Sequence, residues 1–252
     1  MYVESPKPIL DYQTGSSNIG VWNREHIFPQ SRGGFSGGTS STADGIGVWL
    51  PTNADDILSG HADAHHLRAE DGAENSTRSN RDYGSDYNGP IGSQGSWNGD
   101  VSRALFYMAV RYNGLNLVNS NPSDAIVGQI GDLATLLTWN TTDPRDDFEM
   151  NRNNYIYTWQ MNRNPFIDYP NLADYIFGAN FGQQWFSTLS TQNPIENRVV
   201  VYPNPASEYL IVSGLEGSSK VEIYTITGQL VQSQDFNNEI HINLDLHVGM
   251  YL

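Results

Sequence analysis

The pattern of apolar positions divides the chain into three stretches. Between residue 11 and about residue 99, short apolar runs are separated by Gly, Ser, Asn and Asp, which is typical of irregular structure with a few short strands. A helical repeat begins after residue 100, and beyond Trp185 apolar residues alternate with polar ones. The chain is therefore expected to be an α+β protein.

Helical spacing predicts four helices in the middle stretch. The first three follow Asp100, Asp124 and Asp143, each of which can cap a helix N-terminus, and the fourth spans residues 170–178. One face of each of the first three helices should pack in the core, as should the aromatic side chains of this region. The predicted buried positions are Val101, Ala104, Leu105, Phe106, Tyr107, Met108, Ala109, Tyr112, Ile126, Ile130, Leu133, Leu137, Trp139, Phe148, Arg152, Tyr155 and Trp159.

Period-two alternation predicts a small β-sandwich-like module at the C-terminus. Its strands are expected at residues 199–202, 209–212, 221–226, 230–231 and 240–246. Residues 187–194 are polar and typical of a linker. We therefore expect two domains, a larger one over residues 1–190 and a smaller one over residues 196–252.

Charge and composition exclude several classes of protein. The 252 residues carry a formal net charge of -15, which argues against broad adhesion to nucleic acid but leaves a local phosphate site open. The chain has no Cys, so it has no disulfide framework, thiolate metal site or thiol nucleophile. No apolar run approaches the ~20 residues of a membrane span. A secretory signal peptide is absent from the first residues, so either the protein stays inside the cell or its true start is missing.

The most informative segment is residues 23–31, which read Asn-Arg-Glu-His-Ile-Phe-Pro-Gln-Ser. In an extended strand, Glu25 and His26 would point to opposite faces, so both address one centre only where the chain bends. A carboxylate from Glu25 and an amide oxygen from Asn75 suit a hard cation such as Mg²⁺. A neutral His26 could deprotonate a water beside that cation.

Three segments resemble, in the same order, motifs of the bacterial endonuclease I family. They are Asn-Arg-Glu-His-x-x-Pro at residues 23–29, Asp-x-His-His-Leu-Arg at residues 63–68 and Asn-x-x-Arg-x-Asn at residues 75–80. Parts of residues 99–168 also resemble the helical half of that family, so the likeness covers roughly residues 10–185. It implies a secreted or periplasmic non-specific nuclease with a ββα-metal (His-Me finger) site.

The resemblance also implies roles for the matching residues. Glu25 and Asn75 would bind one Mg²⁺, for which Mn²⁺ or Ca²⁺ could substitute, and His26 would be the general base. The protein would be a monomeric hydrolase that cleaves DNA to 5′-phosphate products, with RNA left open as a further substrate.

An arginine would hold the scissile phosphate in such a nuclease. Arg78 is the preferred catalytic contact, and Arg32 and Arg68 are alternatives that would bind substrate. Of the consecutive His65 and His66, one should face the core and the other solvent if they lie on a strand. A structural, hydrogen-bonded role is expected for His65, and His61 is expected on the surface.

A second resemblance concerns the C-terminal module. The sequences Val-Tyr-Pro-Asn-Pro-Ala at residues 201–206, Val-Glu-Ile-Tyr at residues 221–224 and Gly-Met-Tyr-Leu at residues 249–252 resemble the C-terminal sorting domain of type IX secretion cargo in Bacteroidetes-type bacteria. It implies a secreted or cell-surface protein that engages the type IX secretion machinery. Only 24 residues precede Glu25, and the sorting motif stops at Leu252, so we expect pieces of both ends to be absent.

Two other functions remain open on the sequence alone. The fold could serve as a catalytically silent scaffold for an exported binding or adhesive protein. A metal-dependent phosphodiesterase acting on a lipid or a nucleotide would share the same chemistry but would not cleave long DNA. Metal-dependent nicking of a plasmid distinguishes the nuclease from both.

Overall fold

The computed structural model describes residues 1–35, 53–186, 199–215 and 217–251. The chain divides into two compact units, Met1–Phe186 and Ser187–Leu252. The predicted linker over residues 187–194, and with it the two predicted domain limits at residues 190 and 196, lies outside the described residues.

The first unit opens with two paired strands and a helix. Strand β1 (Trp22–His26) is followed by the short helix α1 (Gln30–Gly33), and it pairs antiparallel with strand β2 (Leu67–Asp71). Helix α2 (Gly72–Arg78) continues directly from β2. Elements that are far apart in sequence therefore meet at one end of β1.

Helix α2 begins at Gly72 because Asp71 caps it. The Asp71 side chain accepts hydrogen bonds from the backbone N–H groups of Ala73 and Glu74, at 3.0 and 3.1 Å. A Cβ atom at residue 72 would lie 2.6 Å from the Asn18 carbonyl oxygen, so a side chain does not fit there.

The rest of the first unit is mainly helical. Helix α3 is buried along most of its length and confirms the first predicted helix, while the fourth predicted helix is present but shorter, as α7. The elements are α3 (Asn98–Arg111), β3 (Asn116–Leu117), β4 (Gln129–Ile130), α4 (Leu133–Thr142), α5 (Asp147–Gln160), α6 (Pro165–Asp168) and α7 (Leu172–Ile176). None of the helices in the described ranges has the length and apolar character needed to span a membrane.

The prediction of a helix directly after Asp124 is wrong. Strand β4 occupies part of that stretch and pairs in parallel with β3, and helix α4 begins only at Leu133. Asp132 caps α4 through the backbone N–H of Thr135. Gly131 approaches the Ser120 carbonyl so closely that a Cβ atom would lie 1.9 Å from its oxygen. A tertiary contact therefore overrides the helical spacing here.

Helix α5 is present, but its predicted buried face is wrong. The aromatic side chains of Phe148, Tyr155 and Trp159 are 62%, 64% and 66% exposed. The buried positions of α5 are mainly polar, and Glu149 is among them. Its carboxylate accepts a hydrogen bond from Arg103 Nε of α3 at 2.8 Å. This buried ion pair turns the apolar stripe of α5 outward.

In its described residues, 199–215 and 217–251, the second unit is a small β module with five strands. Strands β5, β6 and β9 form one sheet, and strands β7 and β8 form another. Buried residues from both sheets share one cluster, namely Val212, Ile223, Phe236 and Ile242, which is a sandwich-like arrangement. The strands are β5 (Val200–Tyr202), β6 (Tyr209–Ser213), β7 (Ser218–Tyr224), β8 (Leu230–Asn237) and β9 (Ile240–Asn243).

Candidate active site

An open pocket of about 360 Å³ lies where β1 ends against α2. Glu25, His26 and Asn75 all line it, as do Arg24 and Gln30. Glu25 and His26 are the last two residues of β1. The two neighbouring side chains therefore reach the same pocket from the end of the strand.

Glu25 is held by contacts that all fall on one of its oxygens. The Tyr2 hydroxyl donates to Oε1 at 2.7 Å, and Arg78 Nη1 lies 3.4 Å from the same atom. The carboxyl is 2% exposed, and this burial raises its pKa to about 7 despite the arginine. Within the described residues, Oε2 has no recorded hydrogen bond, so it is the oxygen available to a ligand.

Asn75 is oriented by a chain of side-chain amides. Its Nδ2 donates to Asn23 Oδ1 at 2.7 Å and to the Arg24 carbonyl oxygen at 3.2 Å. Asn23 in turn donates to Gln13 Oε1 at 2.8 Å, which fixes which end of the Asn23 amide is the acceptor. Both hydrogens of the Asn75 amide are thus used, and its Oδ1 remains as an acceptor for a ligand.

The His61 carbonyl favours one tautomer of His26. Its oxygen lies 3.0 Å from Nε2 and can only accept, which favours a proton on Nε2, although the Gln30 amide nitrogen also lies 3.0 Å from the same atom. Nδ1 is then the basic nitrogen, with the Gln30 amide nitrogen 3.2 Å away. Burial, reinforced by the neighbouring His66, lowers the pKa of His26 to about 3. The ring is therefore neutral at physiological pH.

The second sequence motif, residues 63–68, holds the backbone beside His26 in place. Asp63 is fully buried and accepts hydrogen bonds from the Tyr107 and Tyr112 hydroxyls at 2.9 and 2.8 Å. His66 Nε2 lies 2.6 Å from the Gly60 carbonyl oxygen. These contacts hold the segment that includes the His61 carbonyl, the partner of the His26 imidazole.

The expectation that one histidine of the pair faces solvent is wrong. His65 and His66 are 3% and 0% exposed, because they lie in a 3-10 turn, Ala64–His66, rather than on a strand. His65 has the expected hydrogen-bonded position, with Nε2 3.1 Å from Asn162 Oδ1. His61 is half-buried rather than exposed, and its ring centroid is 5.3 Å from that of His26.

Arg78 lines the pocket, but its guanidinium is bound by other groups of the protein. The side chain is 1% exposed. It donates from Nη2 to the Ile27 carbonyl oxygen at 2.8 Å and from Nη1 to the Ser79 carbonyl oxygen at 3.0 Å. Its charged end also lies over the Tyr83 ring, 4.5 Å from the centroid. These contacts fix the turn after β1 to the end of α2, and the phosphate contact of Arg78, which also lines the pocket, stays a prediction.

Arg32 and Arg68 face other parts of the unit. Arg32 is fully buried and donates from Nη1 to the Asn80 carbonyl oxygen at 2.8 Å. Arg68 pairs with Asp100 at 3.5 Å and lies over the Phe148 ring. Among the described residues, neither lines the pocket that holds His26, so their placement does not suit the predicted substrate contacts.

Three residues of this site were not predicted from the sequence. Arg24 is exposed and lines the pocket, and Gln30 faces the basic nitrogen of His26. Both lie in the segment already singled out, beside the Glu-His pair, so their position was a usable signal. Tyr2 is different, because nothing in its local sequence connects it with Glu25.

The oxygen donors of the pocket fit a hard divalent cation. A carboxylate oxygen and an amide oxygen are ligands that Mg²⁺ accepts, and an open pocket leaves room for the waters and phosphate oxygens that usually complete its shell. Glu25 and Asn75 are the side chains that would hold it.

The two perturbed groups predict an unusual pH response. Because the pKa of Glu25 is raised to about 7, protons compete with a cation for its carboxylate below that pH. At limiting Mg²⁺, the rate of any reaction that depends on this cation should therefore fall as the pH decreases from 8 to 6, and added Mg²⁺ should restore that rate. His26, with its pKa lowered to about 3, stays neutral over this range. Rates at pH 8, 7 and 6, at low and saturating Mg²⁺, test this; a loss at pH 6 that saturating Mg²⁺ leaves unchanged contradicts it.

Curated relatives share much of this chain. It is 40% identical over 179 residues to the extracellular ribonucleases of Bacillus amyloliquefaciens and Bacillus subtilis (strain 168), an alignment that covers 64% of this chain and 55% of each relative. The chain thus spans about half the length of these relatives.

Two family models match the chain, one in each of its two units. Residues 200–252 match the secretion system C-terminal sorting domain, which with the extracellular relatives indicates a secreted or cell-surface protein, as predicted. Residues 1–96 and 89–171 match endonuclease I. That match includes every residue of the pocket and more than half of the sequence, and the chain therefore belongs to the endonuclease I family.

Proposed function

We propose that the protein is an extracellular, metal-dependent endonuclease that hydrolyses phosphodiester bonds without sequence specificity. The observation that carries this proposal is the grouping of Glu25, Asn75 and a neutral His26 on one open pocket. The strand pair β1–β2 followed by α2 would then be the ββα-metal finger that the family resemblance implies.

His26 would act as the general base. In the tautomer that the His61 carbonyl favours, the proton is on Nε2, and a water that approaches Nδ1 next to the Gln30 amide would give up its proton there. A bound Mg²⁺ would supply electrostatic stabilisation of the phosphate and of the departing oxygen. The family resemblance implies that the 3′ oxygen departs and that the products carry 5′-phosphates.

The substrate is proposed to be DNA and RNA. The ribonuclease names of the relatives support RNA, whereas DNA, the first substrate, rests on the resemblance to the endonuclease I family. An open pocket beside an exposed arginine would contact the backbone phosphate that the two polymers share, rather than base edges, which gives no sequence preference.

The direct test is cleavage by the purified full chain. Supercoiled plasmid and a long single-stranded RNA are each incubated with Mg²⁺, with and without EDTA. The proposal expects nicked and then degraded plasmid, degraded RNA, and no cleavage in EDTA. Intact polymers with Mg²⁺ present would instead favour the silent scaffold, and hydrolysis of only a small phosphodiester would favour the lipid or nucleotide enzyme.

Arg24 is proposed as the phosphate contact in place of the buried arginines. Its side chain is exposed and lines the pocket. Arg24→Ala should therefore raise KM about tenfold, the loss of one charge-assisted contact, and leave the melting temperature unchanged. Steady-state kinetics and a melting curve of the same preparation check this. A normal KM would remove Arg24 from the substrate site.

The C-terminal module is proposed to engage the type IX secretion machinery as a separate domain. Its match to a sorting domain and its own hydrophobic cluster support this. We retain the domain limits of residues 1–190 and 196–252 as a proposal, and we propose that the protein acts as a monomer.

A further inference from the structure

Three carboxylates gather outside the candidate active site. Asp82 and Asp86 lie in the segment after α2, and Asp124 lies in the loop before β4. Each offers an oxygen within 4.8 Å of the other two, and in the described part of the chain this is the one group of three such side chains at that spacing. None of them lines the pocket of His26.

The decisive feature of the cluster is an unpartnered oxygen of Asp82. The side chain is 1% exposed. Oδ1 accepts a hydrogen bond from the backbone N–H of Gly131 at 2.6 Å and contacts Arg32 Nη2 at 2.9 Å. Oδ2 is fully buried, and no described group donates to it. Arg32 Nη2, which contacts Oδ1, likewise has no hydrogen bond. A buried carboxylate oxygen without a partner is costly, and a cation bound by the three carboxylates would satisfy it.

The other members of the cluster are held in place around this oxygen. Asp86 Oδ2 accepts a hydrogen bond from the backbone N–H of Asp82 at 3.0 Å. Asp124 Oδ1 lies 3.3 Å from Arg32 Nη1, while its side chain remains half exposed. The three carboxylates and the Arg32 guanidinium together carry a formal charge of -2, which one divalent cation neutralises.

We infer that Asp82, Asp86 and Asp124 bind one Ca²⁺ that stabilises the first unit. Ca²⁺ binds oxygens at about 2.3–2.6 Å, so the oxygens around one ion can be at most about 5 Å apart, and the three carboxylate oxygens lie within 4.8 Å of one another. Ca²⁺ also tolerates irregular loop ligands, whereas Mg²⁺ requires near-octahedral geometry. The exposed Asp124 leaves a side open to water.

The position of this site gives the ion a definite task. Asp82 follows α2, the helix that carries Asn75, and Arg32 belongs to α1, just after His26. Binding of Ca²⁺ would fasten both segments to the loop before β4. The ion acts on the stability of the fold and takes no part in the chemistry of the pocket.

Thermal unfolding of the full chain in Ca²⁺ and in EGTA tests the inference. At a Ca²⁺ concentration near 100 times Kd, the melting temperature of the first unit should rise by about 5–10 °C. Asp86→Asn should abolish that rise. Asp124→Asn, whose half-exposed side chain makes misfolding a smaller risk, should abolish or strongly reduce it.

Two further variants distinguish this site from other places in the first unit where Ca²⁺ could bind. Glu25→Gln alters the pocket of His26 and should keep the full rise, so the inference stands even if the proposed catalytic metal site fails. Asp147→Asn removes an exposed carboxylate elsewhere in the same unit and should also keep it. The inference is overturned if Ca²⁺ gives no rise, if the rise survives Asp86→Asn, or if it is lost in Glu25→Gln.

Discussion

The His26→Ala variant is expected to cleave nucleic acid about 10²- to 10⁴-fold more slowly than the wild type in kcat, the usual range for loss of a general base. The physical reason is that no other described side chain combines a neutral imidazole with a place on the pocket. The effect should appear in kcat, because the proposed role of the ring is toward the attacking water rather than the bound polymer. Single-turnover cleavage of plasmid at saturating Mg²⁺ measures it.

The fold should survive this substitution. His26 lies at the end of a strand beside an open pocket, so its removal leaves no closed cavity. His247→Ala is the matched control, because that histidine is exposed in the second unit. Cleavage by His26→Ala at close to the wild-type rate, with His247→Ala also active, would sink the general-base role.

Arg78→Met is expected to lower the free energy of unfolding by about 3–5 kcal/mol, the range for breaking a buried ion pair from one side. The substitution leaves the buried Glu25 carboxyl without its cation, and it removes the donors to the Ile27 and Ser79 carbonyls. Both the turn after β1 and the end of α2 should loosen as a result.

Urea unfolding of the variant measures this loss, with Arg24→Ala as the matched control. Arg24 is exposed, so its removal should leave stability unchanged and affect substrate binding alone. If Arg78→Met keeps wild-type stability but loses transition-state stabilisation, the role predicted from sequence, a phosphate contact by Arg78, would be supported.

The grouping of the pocket residues was predictable because short motifs carry them. Glu25 and His26 are adjacent, and Asn75 lies on the helix that Asp71 caps and lines the same pocket. The motifs therefore carried the group of residues without any knowledge of the tertiary structure. The helix α3 was predictable for a similar reason, since its apolar spacing and its burial agree.

The sequence did not indicate which of the arginines are buried and which is exposed. Arg24, Arg32 and Arg78 have the same side chain and lie near the same motifs, but only partners distant in sequence decide which is buried. Arg32, for example, contacts Asp82 and the Gln129 carbonyl, 50 and 97 residues away. A spacing rule contains no such information.

The same limit explains the error in α5. An apolar stripe normally turns inward, but the Arg103 and Glu149 ion pair occupies the interior and leaves Trp159 exposed. A pattern of apolar residues does not reveal that two charged groups will pair in the core. Tyr2 is a further case, since its hydrogen bond to Glu25 joins residues that only the fold brings together.

In the proposed division of roles, Glu25 and Asn75 bind the cation and His26 accepts the proton. A Mg²⁺ titration of cleavage tests this most directly. Glu25→Gln and Asn75→Ala should need higher Mg²⁺ for half-maximal rate and regain much of the activity at saturation. His26→Ala should stay slow at every concentration, because no added ion replaces a missing base. Titration curves of the same midpoint for all three variants, differing only in height, would contradict this division of roles.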